Sequence, residues 1–171
     1  MPYRVGSSVN PSSGSFGTVQ KVEHDQLESS FARKSFQNVF SESERKLILR
    51  EIGILEVCLH PNIVEFVEAY QVSDQPDTIH LVMSPWAPFT LLQFLRSPAT
   101  RQVMCPWFRN DCPDSRACVY RMMYELSDAV AYLHGLSIKH KDIKPDNILL
   151  QHKGTHQIRP LLADVGTSKV Y

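Results

Sequence analysis

The chain has no apolar run approaching the ~20 residues that a bilayer-spanning helix needs, and Met1-Pro2-Tyr3-Arg4 leads into no signal-peptide core. No membrane partner is expected, and a cytoplasmic or nuclear location is the default. Neither sign of charge is in excess, with 18 lysines and arginines against 18 aspartates and glutamates. That balance offers no electrostatic footprint for a polyanion, so nucleic acid is not an expected partner. The four cysteines, Cys58, Cys105, Cys112 and Cys118, form no C-x-x-C pair, which argues against a zinc site or a disulfide framework. Cys58 falls in an apolar helical pattern, where a small buried thiol is the ordinary reading.

What is present is enough apolar material for a core. At 171 residues and 43% hydrophobic composition, the chain is long enough for one domain or two small lobes. Its most informative stretch is His140-Lys141-Asp142-Ile143-Lys144-Pro145-Asp146-Asn147, followed by the apolar run Ile148-Leu149-Leu150. A solvated polar turn stopped by Pro145 is one reading of it. The stretch also resembles the catalytic loop of a eukaryotic-type protein kinase, H-R-D-L-x-x-x-N. In that resemblance Asp142 orients a substrate hydroxyl and takes its proton late in the reaction. Lys144 projects the same way if the loop is extended there, and its ammonium screens the transferring phosphoryl group. Asn147 offers a neutral oxygen to Mg²⁺.

Companion motifs extend the resemblance along nearly the whole chain. Tyr3 to Asn10 reads as a weak strand ending at Pro11. Pro11-Ser12-Ser13-Gly14-Ser15-Phe16-Gly17-Thr18-Val19 is similar to the kinase glycine-rich loop, with Ser12 where the first glycine would be. Glycines matter there because backbone N–H groups must approach phosphate oxygens closely. Taken alone, a Ser/Gly-rich hairpin turn explains the segment equally well. Phe31 to Phe36 reads as a strand, and a hairpin from Val19 brings Lys34 back under the loop. The resemblance implies that Lys34 holds the α- and β-phosphates of ATP, whereas a lysine on a strand is more often a solvated edge residue.

Ser41 followed by Glu44 is a capping-box pattern, and Ile48, Ile52, Leu55 and Leu59 repeat at the spacing of one helical face. Glu51 borders that stripe. It matches the αC glutamate of the family, because Glu51-Ile52-Gly53-Ile54-Leu55 runs into His60-Pro61-Asn62-Ile63-Val64, and it is expected to pair with Lys34. Ile63 to Tyr70 and Thr78 to Met83 read as two more strands joined by the turn Ser73 to Asp77. Met83-Ser84-Pro85-Trp86-Ala87-Pro88 is too proline-punctuated to continue strand or helix and reads as a hinge. Met83 falls in the gatekeeper place, and Trp86 offers backbone groups to the adenine edge. Thr90 to Leu95 gives a short helix, and Ser97 to Asp114 an irregular loop. A long helix starts at Pro113-Asp114-Ser115 and carries Val119, Met122, Leu126, Ala129, Val130 and Leu133 to its end at His134-Gly135. Leu149 would close the adenine pocket opposite Val19 and Ala32. Leu161-Leu162-Ala163-Asp164-Val165-Gly166 is similar to the D-F-G element, whose aspartate chelates Mg²⁺.

The expected fold is α+β and protein-kinase-like. A five-stranded N-lobe with its αC helix occupies 1–83, a hinge 84–88, and an incomplete helical C-lobe 89–171. The chain departs from the family pattern at Ser12, at Lys141 in place of arginine, and at Val165 in place of phenylalanine. It stops at Tyr171, before an activation loop or peptide platform. The resemblance implies a serine/threonine kinase using ATP and Mg²⁺ on a protein substrate, weakly active or inactive as a truncated chain. A non-catalytic kinase-like interaction module is the alternative.

Overall fold

A computed structural model describes residues 3–5, 12–14, 17–26, 29–109, 112–153, 157–165 and 168–170. The chain divides into two units, one drawn from 1–58 and 65–86 and the other from 59–64 and 87–171.

The first unit is an antiparallel sheet with one helix. β1 (Tyr3–Val5), β2 (Ser12–Gly14), β3 (Gly17–His24) and β4 (Ser30–Phe36) are followed by helix α1 (Glu42–Val57), then β5 (Glu65–Val72) and β6 (Gln75–Ser84). The ladder runs β1-β3-β4-β6-β5, with β2 also paired to β3. The weak strand expected over Tyr3 to Asn10 covers only Tyr3–Val5, and residues 6–11 lie outside the described set. The next strand begins at Glu65 rather than at Ile63, which instead forms a parallel bridge with Leu162 in the second unit. β6 runs through Met83 and Ser84, so the extended ladder persists to the residue before Pro85, where a missing N–H ends it.

Helix α1 starts as its sequence dictates. The Ser41 hydroxyl accepts from the Glu44 N–H and the Glu44 carboxylate accepts from the Ser41 N–H, closing the capping box. Ile48, Ile52 and Leu55 are buried, and α1 packs against β5. Leu59 does not continue the stripe. The helix ends at Val57 with Cys58 extended as its C-cap, leaving Leu59 outside the helix and 77% exposed.

The second unit holds β7 (Phe89–Thr90), α2 (Leu91–Arg96), α3 (Pro98–Met104), α4 (Pro113–Gly135), β8 (Ile138–Lys139), a 3-10 turn (Pro145–Asn147), β9 (Ile148–His152), β10 (Ile158–Leu162) and β11 (Lys169–Val170). β9 pairs with β10 and β7, and β8 with β11. Ser97 to Asp114 is not wholly irregular. Ser97 accepts from the Thr100 N–H and Pro98 occupies the first helical turn, which nucleates α3. The Phe108 ring meets Phe94 edge-on at 5.2 Å, tucking one aromatic against α2. In α4, Cys118, Met122, Ala129 and Leu133 are buried, whereas Val119 is partly exposed. All four cysteines are free thiols. Burial pushes Cys105 up to about 11, so it is protonated and unreactive at neutral pH.

Candidate functional site

In the first unit, β3 and β4 bring the glycine-rich segment and Lys34 together. Ser12 pairs with Val19, Gly14 with Gly17, and Val19 with Lys34. Gly17 has φ +142°, and a Cβ there would lie 2.6 Å from the Ser35 carbonyl oxygen. Only glycine fits, so the close approach of these two strands depends on it. From β4 the Lys34 ammonium reaches the Glu51 carboxylate of α1 at 2.7 Å. Lys34 is 8% and Glu51 4% exposed, so the glutamate sits inside the core rather than snorkelling from its edge. The ammonium also lies 4.9 Å from the Phe36 ring centroid. Ala32 pairs with Met83, and both are buried. The Trp86 N–H donates to the Ser30 carbonyl at 3.2 Å. One of the backbone groups expected to meet an adenine edge is therefore already engaged within the sheet.

In the second unit, the loop between β8 and the 3-10 turn folds on itself. The Lys144 ammonium donates to Asp142 Oδ2 at 2.7 Å, and the Asn147 amide donates to the same oxygen at 2.8 Å and to the Asp142 carbonyl at 2.9 Å. The Lys144 bond, then that of Asn147, holds the Asp142 carboxyl below the usual carboxylate range, and Asp142 in turn raises the Lys144 ammonium. Asp142 Oδ1 has no hydrogen-bond partner among the described residues. Both N–H groups of the Asn147 amide are committed, so its Oδ1 is turned away from Asp142 and is the atom left to coordinate a cation.

His140 ties this loop to the residues before Asp164. The Ala163 carbonyl can only accept, so His140 Nε2 at 3.0 Å carries the proton; the Asp142 N–H can only donate, so Nδ1 at 3.3 Å is bare. The imidazole is neutral, and burial keeps it so by holding its pKa below the usual imidazole range. Ala163 N–H donates to the Asn147 carbonyl at 2.9 Å. Asp164 follows at φ +61° and Lys141 sits at φ +67°, left-handed conformations that non-glycine residues hold only when their surroundings impose them.

The sequence-predicted residues thus form two groups. Gly17, Val19, Ala32, Lys34, Glu51 and Met83 gather in the first unit. Asp142, Lys144 and Asn147 form one network in the second, with Asp164 beside its anchor and the half-buried Leu149 two residues beyond Asn147. Pro11, Ser15, Phe16, Gly166 and Tyr171 lie outside the described residues. Sequence reasoning assigned no role to His140, although it stood in the motif; its task appears only when Ala163, 23 residues away, is in place.

Asn147 Oδ1 and the Asp164 carboxylate are hard oxygen donors. Among the described residues no group of three or more His, Cys, Asp or Glu forms a metal cage. Two oxygen donors with positions left for phosphate and water fit Mg²⁺ better than a metal that demands a closed protein site.

The protein kinase domain family matches residues 12–171. Myosin light chain kinase A of Dictyostelium discoideum is 29% identical over 158 residues, which is 92% of this chain and 48% of that protein. Serine/threonine-protein kinase DCLK3 of Mus musculus is 26% identical over 98% of this chain and 19% of that protein. Serine/threonine-protein kinase H1 of Homo sapiens is 27% identical over 90% of this chain and 32% of that protein. The chain spans about half or less of the length of these relatives. With its sheet, its capped helix, its folded loop and a match covering all but the first residues, the chain belongs to the protein kinase domain family.

Proposed function

We propose that this chain binds Mg·ATP and transfers the γ-phosphoryl group to a serine or threonine hydroxyl of a protein substrate. The observation that carries the reading is the state of Asp142. One carboxylate oxygen is fixed by Lys144 and Asn147 and the other has no partner among the described residues, the arrangement a hydroxyl acceptor needs. In the transfer the substrate oxygen forms a bond to the γ-phosphorus as the bond to the β–γ bridging oxygen breaks, and the hydroxyl proton passes to Asp142. Lys144, tethered to Asp142, places positive charge beside the transferring group. Lys34, aimed by Glu51, holds the α- and β-phosphates, below the backbone of Ser12, Gly14 and Gly17. Val19, Ala32, Met83 and Leu149 supply the apolar surface for the base, with Trp86 and the hinge at 84–88 at its edge. Asn147 and Asp164 hold Mg²⁺, which supplies charge neutralisation of the phosphates when bound.

A second reading, a non-catalytic interaction module, is favoured by one surface. Tyr120, Met123 and Tyr124 lie exposed together on α4. Thermal denaturation separates the two. Under the kinase reading Mg·ATP raises the melting temperature, and Lys34→Ala or Asp164→Ala removes the shift. Absence of any shift in the wild-type protein would sink the nucleotide assignment, and a shift without transfer of labelled phosphate to a basic protein would favour the module.

A further inference from the structure

The Lys34–Glu51 pair does not account for all the buried polar chemistry of the first unit. Ser35, the next residue on β4, points to the opposite face of the sheet, where its hydroxyl lies 2.9 Å from Nδ1 of His80. Ser35 is 6% and His80 7% exposed. They are direct cross-strand partners on β4 and β6, adjacent to the pair Lys34–Leu81. The Ser35 carbonyl is also the atom that a Cβ at Gly17 would strike. Ser35 is thus held through its side chain by β6 and through its carbonyl by the close approach of β3.

That bond matters because β4 is the flank on which β6 is paired without interruption; the β5 flank, in register at Tyr70–His80, shifts at either end of that stretch. The β5–β6 ladder is interrupted between Phe66 and Glu68 and again between Gln71 and Val72, whereas the β4–β6 ladder runs without a shift from Ala32 to Phe36. Side chains alternate across a pleat, so the direction of Ser35 on one face and of Lys34 on the other follows from a single backbone twist. We propose that His80 is a positioning residue for Lys34, its hydrogen bond with Ser35 fixing β4 so that the ammonium is delivered to Glu51 and to the phosphates. This rests on the Mg·ATP reading above.

The surroundings favour a neutral His80. The Arg33 guanidinium of β4, itself donating to Gln20 of β3 at 3.0 Å, lies on the same face. Tyr70 of β5 stands 5.0 Å from the imidazole, and Tyr3 of β1, bonded to the Glu68 carboxylate of β5, stacks on Tyr70. Burial, then the Arg33 charge, holds the imidazole below its usual range. A proton there would put a second cation beside Arg33 in a site shielded from water, so acid loosens the latch even though a protonated Nδ1 can still donate to the hydroxyl.

The test is the ratio of variant to wild-type Mg·ATP affinity, by titration calorimetry from about pH 8 to about pH 5.5, where the titration of the nucleotide itself cancels. Ser35→Ala and His80→Phe are expected to weaken binding about two- to tenfold at the alkaline end, the range set by one buried hydrogen bond, with the ratio moving towards one as the pH falls. His80→Asn, whose amide places a polar atom where Nδ1 stood, should restore binding and remove the pH dependence. Val22→Ala, a core truncation on the same sheet face, reports general loosening. A Ser35→Ala ratio of one at every pH, or a pH-independent loss matched by Val22→Ala, would overturn the proposal. If the wild type binds no Mg·ATP, the nucleotide reading falls by itself, and the latch is judged on the ¹⁵Nζ resonance of Lys34. A protected ammonium signal lost in Ser35→Ala and kept in His80→Asn upholds it, and a signal indifferent to both variants ends it.

Discussion

Two ion pairs in this protein have the same length and different physics. Lys34–Glu51 and Lys144–Asp142 both close at 2.7 Å. The first joins residues 17 apart in sequence, on β4 and α1, and both its side chains are nearly sealed from water. The second joins residues two apart in a loop that water reaches. A buried pair makes each partner's charge tolerable only while the other is present, so it commits helix to sheet. An exposed pair adds little to stability because solvent screens it, but it still sets the protonation and direction of the groups involved. The first is architecture, and under the proposed function it also meets the nucleotide; the second is tuning.

The largest effect separating the two is expected from Lys34→Met, which takes the ammonium away from the buried Glu51 carboxylate. It should cost about 3–5 kcal/mol of stability in urea denaturation, and adding Glu51→Leu should recover most of that loss. The double variant should still show no melting shift with Mg·ATP. A loss well below that range for Lys34→Met would mean that water already reaches the pair.

An intermediate effect is expected at His140, buried like the first pair but set in the loop of the second. Because its folded pKa is depressed, the unfolded chain binds the proton more readily. Stability should therefore be complete above the ordinary imidazole value of about 6.5, decline as pH falls below it, and level off once the lower folded value is passed. His80 adds to the same acid limb. His140→Phe should shrink the slope of stability against pH relative to wild type and cost about 1–3 kcal/mol at neutral pH, since it leaves the Ala163 carbonyl and Asp142 N–H without their partner. An unchanged slope would assign the whole acid limb elsewhere.

The smallest effect on stability belongs to Lys144→Ala. The denaturation midpoint should not move, while phosphotransfer falls by about 10²–10⁴ if Lys144 and Asp142 act together at the reacting group. A destabilisation as large as that of Lys34→Met would erase the contrast between the pairs.

How far the sequence could be read follows the range of the interactions. The capping box of α1 and the stripe Ile48, Ile52, Leu55 are local patterns, and they were legible to the residue at the helix start. The partnership of Lys34 with Glu51 was expected from the resemblance to the kinase motifs, since a lysine on a strand and a glutamate at the edge of a helical stripe do not by themselves name each other as partners. Leu59 was misplaced because the helical period continues one turn beyond the point where Cys58 turns extended. Helix α3 was missed because three prolines between 97 and 114 outweighed a short segment whose start needs only Ser97 and Pro98. Pairings such as Ser35 with His80, 45 residues apart, leave no periodic trace at all. Nor could any local pattern reveal that the Trp86 N–H is taken by Ser30.

Ala163 shows where such long-range bonding leads. Its N–H is given to Asn147 and its carbonyl receives His140, so both ends of one peptide segment are fastened to the loop that carries Asp142. The residue with no functional group is therefore a rivet through which two aspartates inherit a common frame. For anyone recoding this stretch, the alphabet is lopsided: serine or another small residue is admissible at 163, while proline, which deletes the N–H, is barred even though no chemistry touches that side chain.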